Sequence, residues 1–278
     1  MPLRAFRIAY DGTDYHGFQR QPDVSTVEDA IFDALRALDV LDSDAHKPDG
    51  YAAAGRTDAG VSALAQTIAL ESPDWLAPRA LNAELPADIR AWAAADAPAE
   101  FHATHRASRR EYTYHLYAPS AEDEGVAPAV DDDRFHAACE ALSGSHDVHN
   151  LTPDDRNTER SLALEATRDG DYLVVTVSAG GFARELVRRL VSLARAVGTG
   201  ESPPAKIGRV LEPEPLPGHE GIAPAPAEPL VLTDVRYPDL AFEIDEAAAE
   251  SARAVFDRRR IDRRTGARVA GQVADGIR

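Results

Sequence analysis

The sequence predicts an α+β protein made of two similar halves. Three observations lead to that class. Segments with strand alternation are interleaved with segments of helical period. The order strand, helix, strands, helix, strand runs twice, which divides the chain into an N-terminal half, 1–106, and a C-terminal half, 107–278. Hydrophobic residues make up 44% of the 278 residues. That is enough for a sizeable core, yet they never run together for the length that a bilayer span needs. No obvious sequence repeat accompanies the repeated order, so internal duplication is suggested by the order of elements alone.

Residues 3–10 alternate as a strand, with Phe6, Ile8 and Tyr10 on one face, and Asp11-Gly12-Thr13 reads as a turn. Ser25 or Thr26 can cap a helix carrying Val27, Ile31, Leu35 and Leu38, and Glu28 and Asp29 in its first turn suit the helix dipole. Short strands are predicted at 51–54 and 65–70, a short helix at 78–85, and a strand at 89–95. The second round opens with a strand at 111–117, where Tyr112 and Tyr114 share a face. A helix is predicted at 133–142, and strands at 162–168 and 172–178 form a hairpin about Asp169-Gly170. Residues 182–197 read as a strongly amphipathic helix. A proline-rich loop at 213–229, a closing strand at 230–237 and a final helix at 245–264 complete the chain. The acidic segment 122–133 reads as a solvated surface loop.

The formal charge is -17, and Lys47 and Lys206 are the only lysines. A soluble acidic surface needs no such shortage of lysine, so the composition points to adaptation to high salt. Net charge alone argues against a nucleic-acid partner. At molar salt, however, the Debye length falls to about 3 Å, and short-range arginine contacts then decide binding. Cys139 is the single cysteine, which excludes an intrachain disulfide and argues against a cysteine-ligated metal. His16, His102 and His105 make no recognisable metal set. The N-terminus carries no apolar signal core. A soluble, cytoplasmic protein is expected.

The segment Gly55-Arg56-Thr57-Asp58-Ala59-Gly60-Val61 is the most informative. Its glycines permit unusual backbone angles and close approach of a ligand, so the loop can present the Asp58 carboxylate to a cleft. Read without context, an aspartate between glycines is ordinary turn chemistry. Likewise Tyr112 reads as half-buried strand packing, and Arg184, Arg188 and Arg189 as surface helix arginines. Arg106, Arg109 and Arg110 form one basic cluster, and Arg258, Arg259, Arg260, Arg263 and Arg264 another. Either can meet phosphates, and for the second a solvated helix face is an equal reading.

The same loop, continued through Ala63 to Gln66, resembles the active-site motif of the TruA family of tRNA pseudouridine synthases. Other segments match in order: Ile8 to Thr13 with Tyr15, Gly17, Gln19 and Gln21; Thr26-Val27-Glu28; Leu81-Asn82, Leu85-Pro86 and Asp88-Ile89; Phe101-His102-Ala103; Arg110, Tyr112 and Tyr114; Gly144, His146 and Asp147; Phe182, Arg184, Val187-Arg188 and Val191; Val235 and Tyr237-Pro238. These matches run collinearly over roughly residues 3 to 238, which chance does not produce. With the lysine shortage they suggest a halophilic archaeal source.

The resemblance implies the pseudouridine synthase fold, with the two halves joined through a mainly antiparallel sheet around a central cleft. It implies an isomerase that detaches uracil from ribose, turns it and rejoins it through C5, without cofactor or metal. The substrate would be uridine at positions 38 to 40 of the tRNA anticodon stem-loop, and the enzyme a homodimer. Asp58 would be the nucleophile, attacking either C1′ of the sugar or C6 of the base. Arg184 would pair with that carboxylate, and Tyr112 would stack on the uracil. Arg56 would extrude the nucleotide, and Arg110 would contact substrate. Ser62, Phe18, Glu185-Leu186 and Pro229 depart from the family pattern, and none replaces Asp58, Tyr112 or Arg184. A non-catalytic tRNA-binding protein, a base-releasing nucleosidase and a synthase for another RNA are the competing readings.

Overall fold

A computed structural model describes residues 1–120 and 127–277 of the chain. Strand β1 (Leu3–Tyr10) leads through a loop to helix α1 (Val27–Ala37). There the Thr26 hydroxyl caps the first turn by accepting from the Asp29 amide at 3.2 Å. Strands β2 (Ala52–Ala53) and β3 (Ser62–Glu71), helix α2 (Pro78–Glu84) and strand β4 (Ile89–Asp96) follow. The second round holds β5 (Arg109–Tyr117), α3 (Asp132–Leu142), β6 (Gly144–Asp147), β7 (Glu159–Asp169), β8 (Tyr172–Ala179), α4 (Leu186–Gly198) and α5 (Ala205–Val210). Strands β9 (Leu230–Arg236) and β10 (Glu243–Ile244) and helix α6 (Glu246–Gly276) end the chain. Of the expected acidic loop at 122–133, residues 122–126 lie outside the described residues; Asp131 beyond them caps α3 by accepting from the Arg134 amide at 3.0 Å.

Among the described residues the strands make one sheet in the order β10-β4-β1-β3-β9-β5-β8-β7-β6, with β2 paired on β3. Its pairings are antiparallel except at the join between the halves. There β3 and β9 run parallel, with Ser62 opposite Val231 and Ala63 opposite Leu232. On the other side of β9, Leu232 faces Tyr112 of β5. The residues just before β3 are the glycine-flanked loop, so this register carries Asp58 toward the strand that holds Tyr112. A continuous apolar core runs through both halves, from Phe6, Ile8, Ile31 and Leu35 to Tyr114, Val177, Leu190 and Leu193. Burial of such side chains contributes ~1.5–3 kcal/mol each before entropy is counted.

Two helices differ from the sequence expectation. Helix α4 starts at Leu186 rather than at residue 182, because Glu185 takes a left-handed conformation with φ of 58°. Its buried face is nonetheless the expected one, with Leu186, Val187, Leu190, Val191, Leu193 and Ala194 inward. Helix α6 continues past 264 to Gly276. No proline interrupts it, and Gly266 and Gly271 lie in open space. Each costs about 1 kcal/mol relative to alanine without ending a helix.

Helix α6 packs along β4 through Ala248, Ala249 and Ala252. It is tied down further on by Asp11, which pairs with Arg259 at 2.7 Å and Arg263 at 2.6 Å. Burial pushes the Asp11 carboxyl up. Hydrogen bonds from the Thr13 hydroxyl and amide, with the Arg263 guanidinium, outweigh it and hold the carboxyl at about 2. Because the folded value lies below the unfolded one, this stabilisation is complete above roughly pH 4 and is lost as pH falls through about 2. We expect Asp11→Asn to lower stability at neutral pH by about 2 kcal/mol. The gap to the wild-type protein should close on acidification from roughly pH 4 toward pH 2 in thermal melts.

Candidate active site

The loop between β2 and β3 is fixed from several sides. The Thr57 and Tyr10 hydroxyls bond at 2.7 Å, and the Phe18 amide donates to the Thr57 carbonyl at 3.0 Å. The turn closes with the Val61 amide on the Asp58 carbonyl at 3.1 Å, while the Gly60 amide donates to the Tyr15 carbonyl at 3.2 Å. Two glycines are needed for this packing. Gly60 has φ of 84°, a left-handed angle. At Gly12 a Cβ would stand 2.0 Å from the Val61 carbonyl oxygen.

Asp58 projects into a cleft of about 1610 Å³ lined by both halves of the chain. Its side chain keeps 33% of its exposure, so it is reachable but partly desolvated. Burial raises its carboxyl above the ordinary value; the Arg188 guanidinium opposes that rise and Glu185 adds to it. Arg188 Nη1 lies 3.4 Å from Asp58 Oδ2, and Arg188 Nε donates to the Ala225 carbonyl at 2.6 Å. The distance exceeds the ~2.7–2.9 Å of a tight charge-assisted bond, so the carboxylate is attracted without being sequestered.

Arg184, expected as the partner of Asp58, is held elsewhere. Its Nε meets Asp154 Oδ1 at 2.9 Å, and its amide donates to Asp154 Oδ2 at 2.9 Å. The left-handed Glu185 places Arg184 in the loop before α4, whereas Arg188 sits on the helix facing the carboxylate. Arg184 therefore lines the outer cleft, and Arg188 is the ion-pair partner that the sequence reading missed. The left-handed Glu185 delays the helix start and moves the inward-facing arginine on by one turn.

Tyr112 lies in the cleft wall, 9% exposed, with its ring edge-on to Phe182 at 5.1 Å and 89°. Burial raises its phenol to about 12, with Arg110 lowering it and Asp58 raising it. It is thus a neutral hydroxyl at physiological pH. Arg110, expected to contact substrate, is buried, and its donors are spent on three carbonyls: Ala54 at 2.6 and 3.1 Å, Gly180 at 2.6 Å and Thr104 at 2.7 Å. These bonds join the segments that border the cleft. Arg56 is exposed at the cleft and, among the described residues, has no ion-pair partner. His16 and His102 also line the cleft. Among the described residues no group of three or more histidine, cysteine or acidic side chains is placed to hold a metal ion.

Residues 138–238 match the sequence profile of a family described as tRNA pseudouridine synthase. A protein of Haloarcula marismortui named tRNA pseudouridine synthase A is 58% identical over 275 residues, 99% of this chain and 100% of the relative. The chain belongs to the tRNA pseudouridine synthase family. Its namesake in Natronomonas pharaonis is 59% identical, over 98% of this chain and 99% of the relative. One from Methanocella arvoryzae is 35% identical over 89% of each. The halophilic relatives agree with the lysine-poor, acidic composition of this tRNA pseudouridine synthase family member.

A reaction that uses the ionised Asp58 carboxylate must fade as pH falls through its raised pKa, at higher pH than for a free aspartate. We expect Arg188→Gln to move that acid limb to still higher pH and to slow isomerisation on the order of 10²-fold. Arg184→Gln should move the limb the same way but much less, because the Arg184 charge is the smaller influence on the carboxyl. Single-turnover rates measured against pH in molar KCl check both.

Proposed function

We propose that this protein isomerises uridine to pseudouridine at positions 38 to 40 of the tRNA anticodon stem-loop, with Asp58 as the nucleophile. The observation that carries the reading is the half-buried Asp58 carboxylate, set in a two-sided cleft with Arg188 as counter-ion and Tyr112 in the wall. In the reaction the C1′–N1 bond breaks and a C1′–C5 bond forms. N1 gains a proton and C5 loses one, so mass is unchanged. Asp58 begins this by attack on C1′ or on C6. Arg188 favours its ionised form and remains charged throughout.

Tyr112 offers the flipped uracil an aromatic surface, and stacking of that kind is worth ~1–3 kcal/mol per base. Its neutral oxygen can assist removal of the C5 proton. Arg56, free at the cleft, extrudes the nucleotide and occupies its place in the stack. Arg184 works at the outer cleft beside Asp154, in reach of the backbone phosphates. Arg110 serves the substrate through the loop segments it ties together. The halves 1–106 and 107–278 act as two jaws, one bearing the aspartate loop and the other the tyrosine strand. The working enzyme is a cytoplasmic homodimer, since one small acidic subunit offers little basic surface to a tRNA.

The test is incubation with unmodified tRNA in molar KCl, followed by chemical mapping of pseudouridine at single-nucleotide resolution. Product is expected within positions 38 to 40, with intact chain mass. Abasic sites would mean a nucleosidase, and product elsewhere a different target. Asp58→Asn should bind tRNA normally but lose activity by at least about 10³-fold. Unimpaired product from that variant would remove Asp58 from the mechanism.

A further inference from the structure

Helix α6 lies outside the cleft, yet it is connected to the Asp58 loop by an unbroken run of polar contacts. Arg259 and Arg263 stand one helical turn apart and share a face. Both donate to one oxygen of Asp11, at 2.7 and 2.6 Å. The other Asp11 oxygen accepts from the Thr13 amide at 3.2 Å and hydroxyl at 2.6 Å. A buried carboxylate with four donors has its orientation fixed. Arg263 also reaches the Thr13 hydroxyl at 3.1 Å, and Arg259 reaches Asp88 at 3.2 Å. Asp88 in turn accepts from the Tyr15 hydroxyl at 2.9 Å, and its carbonyl from the Asp11 amide at 3.0 Å.

The segment so gripped, residues 11 to 15, is the seat of the Asp58 loop. The Tyr15 carbonyl receives the Gly60 amide at 3.2 Å, and the Gly12 amide donates to Ser62 Oγ at 3.1 Å. The Gly12 backbone lies so close to Val61 that no side chain fits between them. Neither arginine lines the cleft, so any influence on the chemistry passes through this seat. We propose that Arg259 and Arg263 are positioning residues for the Asp58 loop, acting from the C-terminal helix through Asp11, Asp88 and Tyr15. The proposal rests on the isomerase reading of the cleft. It gives the C-terminal helix a part in catalysis without contact with the reacting atoms.

The test uses the full chain in molar KCl, with a double variant Arg259→Gln, Arg263→Gln and a milder variant Tyr15→Phe. The double variant should lower the single-turnover rate at saturating enzyme by about 10- to 100-fold, with tRNA affinity within about twofold of wild type. Amide hydrogen exchange at residues 58 to 62 should accelerate, and Tyr15→Phe should move both readouts the same way by less. The pair Arg259→Lys, Arg263→Lys keeps the charge and should recover part of the rate. Weakened tRNA binding with an unchanged saturated rate would make the arginines RNA contacts and overturn the proposal. Unchanged exchange in the loop would overturn it too. If the double variant unfolds in a thermal melt, Tyr15→Phe alone decides, since loss of one hydroxyl leaves the helix in place. If the wild-type protein leaves tRNA unmodified, the substrate reading fails, and loop exchange still decides the relay.

Discussion

The parallel pairing of β3 with β9 is the constraint on which the cleft depends. It joins two otherwise antiparallel halves through Ser62 and Ala63 set against Val231 and Leu232. On one side of the join the chain enters β3 from the Asp58 loop. On the other, Tyr112 is the next residue across from Leu232. A slip of one residue at this seam would turn every side chain of a strand to the opposite face. The carboxylate and the tyrosine would then no longer share a cavity. Register across the two halves, more than any single contact, therefore brings together residues 54 positions apart in sequence.

Bringing a carboxylate into that cavity creates an electrostatic problem. Desolvation favours the protonated form, and Glu185 nearby makes matters worse. Arg188 is the compensating charge, held in place by the Ala225 carbonyl and by a helix whose other face is fully buried. Elsewhere the cations are mostly committed to structure. Arg110 is consumed by backbone carbonyls, Arg184 by Asp154, and Arg259 and Arg263 by Asp11. In a chain of charge -17, long-range attraction for RNA is weak or reversed. In the proposed function the few arginines left exposed, Arg56 among them, act at contact distance, which is the regime that molar salt imposes.

Much of this was legible in sequence because it is local. Strand alternation, the Thr26 cap, the Asp169-Gly170 hairpin and the glycine-flanked loop each depend on a few neighbouring residues. What stayed hidden depends on distant parts of the chain or on a single backbone angle. The left-handed Glu185 carries no strong compositional mark, yet it shifts the helix start and exchanges Arg184 for Arg188 beside Asp58. The burial of Arg110 follows from carbonyls at 54, 104 and 180, which no spacing rule connects. The two-residue strand β10 is too short for periodicity to reveal. Helix α6 outruns its expected end at 264, and Gly266 and Gly271 are tolerated within it because they lie in open space.

The looseness of the Asp58–Arg188 pair and the tightness of the loop around it belong together. A bidentate bond at ideal distance would ionise the carboxylate most strongly, but it would occupy the lone pairs that the proposed attack requires. At 3.4 Å the guanidinium supplies charge while the carboxylate stays open to the cleft. Such a pair cannot hold the side chain in position by itself. The geometry has to come from the backbone: from Thr57 bonded to Tyr10 and Phe18, from Gly60 on Tyr15, and from the close approach of Gly12 to Val61. Positioning and ionisation are thus assigned to different groups. The loop can be rigid, and firmly anchored from behind the sheet, because the counter-ion is not asked to anchor it.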